Sequence, residues 1–360
     1  MARPIPPSPG RRRNARLHLS FVIVALGIAS LAACERPTRL APPLPRATAL
    51  PSATPTASPF PTASAIPSLT PTPDPFAPYY VESLRARSYG AGPIEIVREM
   101  ERAGPFTRYL ITYPSDGLRI TGMMNVPRGD GPFPVIVLNH GYYDPAHYVT
   151  GSGTRNAADA FARHGYLTLA PDYRDYGGSD SGPDMFRIGF AVDVLNLIAS
   201  VGSLPQARAD EIGVWGHSMG GGLSIEVLAV NPPGLRAVVL YAAMSGDMAA
   251  NYYKILEFRQ GASLGPEWPL TPAAAPEVYA RLSPNNYLDD VNVPVLIHHG
   301  LLDQTVPPEW SQQLAQQLAG AGKEATLFTY PAAGHSFYDA NWTLFMARNV
   351  EFFDRLLKES

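Results

Sequence analysis

The sequence predicts an α/β protein built on a mostly parallel, twisted sheet with helices on both faces. Two observations support this prediction. From Thr107 onward, short apolar runs alternate with segments of helical periodicity, which is typical of repeated βα units. In the middle of this region an apolar run passes through a G-x-S-x-G pentapeptide into a stretch compatible with a helix. Ligands of such sheets bind outside the carboxyl ends of the strands, so residues that follow the strands are expected to share one crevice.

The elements follow in order along the chain. A Pro-Ser-Asp-Gly turn joins the first two strands, which predicts an antiparallel edge hairpin over 109–113 and 119–126. The remaining predicted strands cover 135–139, 167–170, 211–215, 237–241, 295–298 and 325–330, and the predicted helices cover 154–164, 185–201, 223–230, 309–319 and 342–357. Residues 244–288 hold several aromatic residues and prolines between two core strands, and we expect them to form a small cap; the alternative is a longer surface connection.

The pentapeptide Gly216-His217-Ser218-Met219-Gly220 has the form of a nucleophile elbow. In an elbow, a sharp turn from strand to helix forces the serine into strained backbone geometry and exposes its hydroxyl, while the glycines let neighbouring backbone pass closely. An ordinary glycine-rich turn is the alternative. We therefore predict Ser218 as a catalytic nucleophile.

A serine hydroxyl is nearly unreactive at neutral pH and needs a base, which in turn needs an orienting acid. The order serine, acid, histidine is met by Ser218, Asp303 and His335, since Asp303 follows the penultimate strand and His335 the last one. The rival acids are Asp289, Asp290 and, more weakly, Asp247. The other histidines are poorer candidates for the base. His298 and His299, for example, are neighbours on a strand, so their side chains face opposite ways.

Charge that develops on the substrate carbonyl oxygen needs two preorganised donors. We predict the backbone N–H of Met219 as the first. The second is expected from the loop after the strand ending at Asn139, with the N–H of Tyr142 preferred and Tyr143 as the alternative. An ordinary tight turn at His140-Gly141 is the other interpretation of that loop.

Several classes of partner are disfavoured by composition and motif. The chain has one cysteine, scattered histidines and no His-Glu-x-x-His, so we expect no metal site, and its Gly-x-Gly at 151–153 lacks the context of a dinucleotide site, so we expect no cofactor. Net charge is −3, and no basic patch interleaved with aromatics occurs, which argues against a nucleic-acid partner.

The N-terminal residues have the features of an export signal. Five arginines precede an apolar stretch, 17–33, that ends in Leu31-Ala32-Ala33-Cys34. This arrangement resembles a bacterial lipoprotein signal, in which Cys34 becomes the lipid-modified first residue of the mature chain. An uncleaved transmembrane anchor is the alternative, although the stretch is short for one. Either way, we expect an extracytoplasmic protein anchored to the bacterial cell membrane.

Residues 34–78 are predicted to be a linker. Thirteen prolines occur from Pro37 to Pro78 among Ser, Thr and Ala, a composition that cannot bury enough apolar area to fold and that favours an extended spacer. The hydrolase domain is then expected over 79–360. Removal of the signal takes away five arginines and no acid, which changes the net charge from −3 to −8.

These motifs resemble the α/β-hydrolase superfamily, and within it the branch of prolyl-oligopeptidase-like (S9-type) domains, dienelactone-hydrolase-like proteins and acyl esterases. The resemblance covers roughly Thr107 to the C-terminus and depends on the segments 139–141, 172–179, 216–221, 283–284, 299–307 and 334–337. S9 peptidases usually carry a tyrosine after the serine, where this chain has Met219. They also carry an N-terminal propeller, for which the predicted linker leaves no room. Both departures favour an esterase.

The resemblance and the residues together leave three functional hypotheses. The first is a serine hydrolase that cleaves small carboxylic esters through an acyl-enzyme. The second keeps the chemistry but takes short peptides as substrates. The third is an inactive hydrolase fold that serves as a binding module.

Overall fold

The computed structural model describes residues 73–90 and 92–359. The predicted signal peptide, the predicted lipidation site Cys34 and the predicted linker up to residue 72 lie outside the described residues. The end of the predicted linker packs on the folded body. The ring of Phe76 packs edge-on against that of Phe186, 5.7 Å between centroids, and the Tyr80 hydroxyl donates to Asp74.

A single sheet of nine strands runs through the described part of the chain. The strands are β1 (Glu95–Arg102), β2 (Phe106–Ser115), β3 (Leu118–Pro127), β4 (Phe133–Asn139), β5 (Leu167–Pro171), β6 (Ala207–His217), β7 (Leu235–Tyr241), β8 (Val295–Gly300) and β9 (Ala325–Tyr330). Their order is β1-β2-β3-β5-β4-β6-β7-β8-β9. Pairing is antiparallel from β1 to β5 and parallel from β5 to β9. The predicted mostly parallel α/β sheet is confirmed.

Strand β1 is not among the predicted strands, and it displaces the predicted hairpin from the edge of the sheet. Its sequence is Glu-Ile-Val-Arg-Glu-Met-Glu-Arg, and seven of its eight residues are exposed. Its pairing with β2 is also irregular at two points. Charged residues and irregular pairing are common on edge strands because they hinder association with other chains. The same charges erase the apolar alternation by which a strand is recognised in a sequence.

Helices cover both faces of the sheet. They are α1 (Val81–Ala86), α2 (Arg155–Arg163), α3 (Ile188–Ser200), α4 (Met219–Val230), α5 (Met248–Phe258), α6 (Pro276–Leu282), α7 (Pro308–Gly320) and α8 (Asp339–Leu357). Side chains alternate along β4, so that Val135 and Val137 join a core with α1, α3, α4 and α7, whereas Ile136 and Leu138 join a core with α2 and α8. The central strands are therefore buried on both faces, as parallel strands usually are.

The predicted helix 185–201 has a distorted start. Residues Met185–Arg187 form a short 3-10 turn before α3, in which Phe186 and Arg187 have φ of 54° and 66°. The whole apolar stretch Met185–Ser203 is long enough to cross a bilayer, but 78% of its apolar window is buried inside the fold, which identifies it as a core helix. The two left-handed residues turn the chain toward the insertion that follows β7.

That insertion, between β7 and β8, contains α5, α6 and a 3-10 helix, Pro284–Asp290. Its aromatic residues pack on one another: the ring centroids of Trp268 and Tyr252 lie 5.9 Å apart, and Trp268 stacks on Tyr279. Trp268 also meets Phe186 edge-on at 5.7 Å, and the Phe186 N–H donates to Glu267 O. These contacts join the insertion to the distorted start of α3.

A buried ion pair ties the loop after β5 to α3. The guanidinium of Arg174 donates to both carboxylate oxygens of Asp193, at 3.0 and 2.8 Å, and the Ser115 hydroxyl donates to the same carboxylate at 2.6 Å. Arg174 is 5% exposed and Asp193 is fully buried. The arginine is thus the main compensation for a carboxylate that water does not reach.

We expect Arg174→Leu to lower the free energy of unfolding by about 3–5 kcal/mol, because it leaves the Asp193 charge buried without its partner. Chemical denaturation measures the change. Arg119→Leu is the control, since Arg119 pairs with Asp180 on the surface, where both side chains are about half exposed, and such pairs are worth at most about 1 kcal/mol. Similar losses in the two variants would contradict the importance given to the buried pair.

Candidate active site

Ser218 lies in the sharp turn between β6 and α4, with φ 57° and ψ −120°. This is a strained conformation for a residue with a side chain. Backbone hydrogen bonds hold it there: the Ser218 N–H donates to Tyr241 O at 3.0 Å, and Ser218 O accepts from the N–H groups of Gly221 and Met244 at 3.0 and 2.9 Å. The predicted strand-to-helix turn with an outward-facing serine is what the structure contains.

Two glycines make the tight turn sterically possible. A Cβ atom on Gly216 would lie 2.2 Å from Gly220 O, and one on Gly220 would lie 2.1 Å from Asn139 O. Real Cβ atoms do not approach backbone so closely, so any other residue at either position would push α4 away from β6 or from the loop after β4.

The structure brings Ser218, Asp303 and His335 together. His335 Nε2 lies 2.9 Å from Ser218 Oγ, and His335 Nδ1 lies 2.8 Å from Asp303 Oδ2. Since a carboxylate only accepts, Nδ1 is the donor to Asp303, and this leaves the Nε2 lone pair directed at the serine hydroxyl. The three residues come from loops after β6, β8 and β9, at the carboxyl ends of parallel strands.

Asp303 is held by more groups than the sequence predicts. Its Oδ1 accepts from the N–H groups of Thr305 and Val306 at 2.8 and 3.0 Å, and its Oδ2 accepts from His299 Nε2 at 3.1 Å as well as from His335. Burial by itself would raise the pKa of Asp303, but the hydrogen bonds from His299, His335 and Val306 outweigh it and hold this pKa well below its ordinary range. The carboxylate is therefore ionised at any physiological pH.

His299 is a residue that sequence reasoning missed. Its ring is fully buried between Asp303 and Ser311, with Nδ1 2.6 Å from the Ser311 hydroxyl. The alternation of neighbouring side chains correctly separates it from His298, whose ring faces Tyr330. The available signal was its position four residues before Asp303 at the end of a strand, but only the turn after β8 shows that the two side chains meet.

The rival acids are engaged elsewhere. Asp290 pairs with Arg85 and its side chain is 63% exposed. Asp247 caps α5, where it accepts from the N–H groups of Ala249 and Ala250. Asp289 is exposed on the 3-10 helix before β8.

The loop after β4 lies against the serine, where an oxyanion site was predicted. A Cβ atom on Gly141 would lie 3.1 Å from Ser218 Cβ. His140 is fully buried behind this loop, stacked on Tyr173, with Nδ1 2.7 Å from Gly141 O. Because C=O and N–H point in opposite directions across a trans peptide, a Gly141 carbonyl turned toward the imidazole directs the Tyr142 N–H to the other side.

The other predicted donor, the Met219 N–H, belongs to the first residue of α4. N–H groups in the first turn of a helix have no partner within the helix, and they lie at its partly positive end. The N–H groups of Met219 and Tyr142 therefore stay the predicted donors for an oxygen that acquires negative charge beside Ser218.

The loop that carries His335 is fixed by two rings, the buried Tyr241 and the half-buried His217. His217 Nε2 donates to His335 O at 3.0 Å, and the Tyr241 hydroxyl accepts from the Phe337 N–H. The two rings stack on each other with centroids 4.3 Å apart. Burial, followed by the proximity of His335, lowers the pKa of His217 to about 4, so this second histidine stays neutral beside the site.

A narrow pocket lies along α4 and begins at Met219, the residue after the nucleophile; we name it the α4 pocket. Its floor is one face of α4, where Met219, Gly222, Leu223 and Glu226 recur at helical spacing. Its other walls come from the start of α3, the loop after β7, α5 and the rest of the insertion: Phe186, Arg187, Ile188, Ala191, Met244, Ser245, Met248, Asn251, Ile255, Trp268 and Pro284. Its volume is about 50 Å³.

Glu226 is the unusual residue of the α4 pocket. It is 3% exposed, and its Oε1 is buried without a hydrogen-bond partner among the described residues. Burial, only partly opposed by the charge of Arg85, raises the pKa of Glu226 to about 8. The side chain is therefore a neutral carboxylic acid at neutral pH, and sequence reasoning did not identify it.

No group of three or more His, Cys, Asp and Glu side chains that could hold a metal ion occurs in residues 73–90 and 92–359. The chemistry that this arrangement can perform is nucleophilic attack by a serine hydroxyl with a histidine as base.

This chain is similar to a known protein family and to known sequences and structures. Residues 155–360, more than half of the chain, match the model of Peptidase_S9, the prolyl oligopeptidase family. The chain is 26% identical over 238 residues to "Uncharacterized peptidase YtmA" of Bacillus subtilis, which covers 64% of this chain and 86% of the relative. It is 24% identical over 260 residues to "Putative carboxymethylenebutenolidase" of Escherichia coli O157:H7, and this match covers 65% of this chain and 83% of the relative.

Two solved structures illustrate the range of similar folds. Acetyl xylan esterase 1 from a Thermoanaerobacterium species superposes with a TM-score of 0.58 at 21% identity, over 78% of this chain and 94% of the esterase chain. Pyrococcus horikoshii acylaminoacyl peptidase superposes with a TM-score of 0.57 at 21% identity, over 71% of this chain and 43% of the peptidase chain. At these identities the likeness establishes the fold alone.

We expect Glu226→Gln to stabilise the protein increasingly as pH rises from about 4 to 8. An unfolded glutamate loses its proton near pH 4.3, whereas the folded one keeps it to about pH 8, so wild-type stability falls across this window by on the order of a few kcal/mol. Glutamine has no proton to lose. Thermal unfolding of both proteins at several pH values measures the difference, and a gap that stays constant with pH would contradict the raised pKa.

Proposed function

Because this chain belongs to the prolyl oligopeptidase family and is a serine hydrolase of the S9-peptidase and esterase type, we propose that it hydrolyses carboxylic esters through an acyl-enzyme intermediate. The resemblance predicted from the sequence motifs is thereby confirmed at the level of the family. The observation that carries the finer proposal is the continuous path of hydrogen bonds from Ser218 through His335 to Asp303, at 2.9 and 2.8 Å.

The proposed reaction has two halves. His335 Nε2 accepts the Ser218 proton as Oγ bonds to the ester carbonyl carbon, and the carbonyl oxygen becomes negatively charged between the N–H groups of Met219 and Tyr142. The bond to the alcohol oxygen then breaks, and His335 returns the proton to that oxygen. Water repeats the sequence on the acyl-enzyme and releases the acid. Asp303 stays ionised throughout and stabilises the imidazolium, in keeping with its low pKa.

Two observations favour esters over peptides as substrates. Met219 follows the serine, where S9 peptidases usually carry tyrosine. The similar acetyl xylan esterase is matched over 94% of its own length, whereas the similar acylaminoacyl peptidase is matched over 43%.

Short peptides are the second candidate class of substrate. The family model is that of a peptidase family, and the relative from Bacillus subtilis carries a peptidase name. Ester and peptide hydrolysis share the same serine and oxyanion chemistry, so the two are separated by substrates and not by the site geometry. The inactive-module hypothesis is disfavoured because nucleophile, base and acid are all within hydrogen-bond distance of one another.

We further propose that Cys34 is lipid-modified and that the mature protein is held at the outer side of a bacterial membrane. Support comes from the sequence, where an arginine-rich start, a short apolar segment and Leu-Ala-Ala-Cys stand in the order that export and lipidation require. The Pro-rich linker would then separate the hydrolase from the lipid surface.

We expect Ser218→Ala and His335→Ala to lower kcat by roughly 10⁴- to 10⁶-fold, and Asp303→Ala to cost less, because nucleophile and base act as one unit. A fluorophosphonate probe should label wild type and fail to label Ser218→Ala. His164→Ala is the matched control, since this exposed histidine at the end of α2 should leave kcat unchanged. Absence of labelling in the folded wild-type protein would contradict the serine mechanism.

Esters and amides are separated by a paired panel. We expect the enzyme to turn over p-nitrophenyl acyl esters and to leave aminoacyl and dipeptidyl p-nitroanilides untouched, with release of the nitro product as the measurement. Comparable kcat/KM values for both panels would replace the esterase proposal with the peptidase one.

For the anchor, we expect the full chain made in a bacterial host to fractionate with membranes and to incorporate labelled palmitate, and Cys34→Ser to lose the label. Labelling that persists without the cysteine would show that the lipid, if any, is attached elsewhere.

A further inference from the structure

The α4 pocket ends on a carboxyl group that the described residues leave unsatisfied. Glu226 is 97% buried, and its Oε1 has no hydrogen-bond partner there. Arg85 is close enough to affect its charge, but the Arg85 guanidinium donates to Ala229 O, Asp290 and Tyr287 O instead. A buried polar group without a partner lowers the stability of the fold, so its presence calls for an explanation.

The pocket extends along α4 from the residue after the nucleophile, Met219, to this carboxyl group. Met219 directly follows Ser218, and Glu226 comes seven residues later on the same face of α4, about 10 Å along the helix axis. The opposite wall also begins at the nucleophile, because the Met244 N–H donates to Ser218 O. A chain attached to Ser218 and lying along this face of α4 would therefore approach Glu226 with its far end.

The rest of the pocket is apolar or already engaged. Phe186, Ile188, Leu223, Met248 and Trp268 line its length, which suits methylene groups. The pocket's small volume has room for a row of about four water-sized groups, which suits an unbranched chain better than a ring.

The other polar residues of the pocket already have partners. The side-chain amide of Asn251 both accepts from and donates to the backbone of Ser245. The guanidinium of Arg187 pairs with Asp184 and Glu267. Glu226 is thus the polar group of the pocket whose hydrogen-bonding capacity is unused within the described chain.

We propose that the α4 pocket binds the acyl chain of the substrate and that Glu226 recognises a hydrogen-bond donor, a hydroxyl or an ammonium group, at the far end of that chain. This inference rests on the proposed ester hydrolysis at Ser218. The apolar walls hold the methylene groups, and the carboxyl oxygen accepts from the terminal donor. An unsubstituted chain of the same length would leave Glu226 unsatisfied, so the site discriminates against it.

The test compares three ethyl esters with the full-length protein: hexanoate, ω-hydroxyhexanoate and ω-aminohexanoate, with acid release as the measurement. We expect wild type to prefer at least one ω-substituted ester over hexanoate by about tenfold in kcat/KM. A preference for the hydroxyl indicates a neutral Glu226 in the complex, and one for the ammonium indicates an ionised Glu226. Shorter and longer chains in the same three forms establish the optimal length.

Variants of Glu226 assign the preference to this residue. Glu226→Met, of similar length and apolar, should reduce the ratio between substituted and unsubstituted esters to about one or below. Glu226→Gln, of the same shape, should abolish any preference for the ammonium form and provides a second variant should the first fail to fold. Glu257→Gln is the control, since this exposed acid on α5 should preserve the wild-type ratio.

Two results would overturn the inference while the proposed function stands: equal kcat/KM for the three esters in wild type, or a preference that survives in both Glu226 variants. A wild-type protein that hydrolyses no ester and takes no fluorophosphonate label would instead refute the proposed function, and this inference with it.

Discussion

The strained backbone of Ser218 is the constraint around which the active site is arranged. A serine with φ 57° persists only because surrounding groups over-determine it: its N–H donates to Tyr241 O, and its carbonyl oxygen accepts from the N–H groups of Gly221 and Met244. Those partners are in place because β6 pairs with β7 in parallel and α4 packs back on the sheet. The loops after β4, β8 and β9 open at the same edge, so a single sheet geometry positions the acid, the base and the loop for which an oxyanion donor is predicted.

Two buried carboxyl groups show how hydrogen-bond partners determine whether a buried acid is ionised. Asp303 and Glu226 are both nearly inaccessible, yet the pKa of Asp303 is lowered and that of Glu226 is raised to about 8. Asp303 accepts hydrogen bonds from two histidines and two backbone N–H groups, which compensate its ionised form, whereas Glu226 has only a nearby arginine that bonds elsewhere. The first is thereby suited to stabilise an imidazolium and the second to meet a donor as a neutral acid.

The folds of an acetyl xylan esterase and of an acylaminoacyl peptidase are both similar to this one, and a serine site of this kind acts on the carbonyl group alone. Nucleophile, base and oxyanion donors act on features that esters and amides have in common. Selectivity must then come from what surrounds the site. In this protein the surroundings are the distorted start of α3, the insertion after β7 and one face of α4, which together line the α4 pocket. The contacts of Phe186 with Trp268 and Glu267 couple the first two of these elements, so the pocket wall is a joint product of distant segments.

The sequence by itself determined the features that depend on neighbouring residues. The G-x-S-x-G turn and the alternation of strands and helices are local patterns, which local geometry restricts strongly, and Asp303 and His335 were found because each directly follows a predicted strand. Tertiary structure decided the rest. Strand β1 is recognised only through its pairing with β2, and His299 matters only because the turn after β8 returns Asp303 to it. Glu226 stands out only because packing buries it in the α4 pocket without a hydrogen-bond partner among the described residues. These three depend on contacts between segments far apart in the chain or folded back on themselves, and no periodicity in the sequence records such contacts.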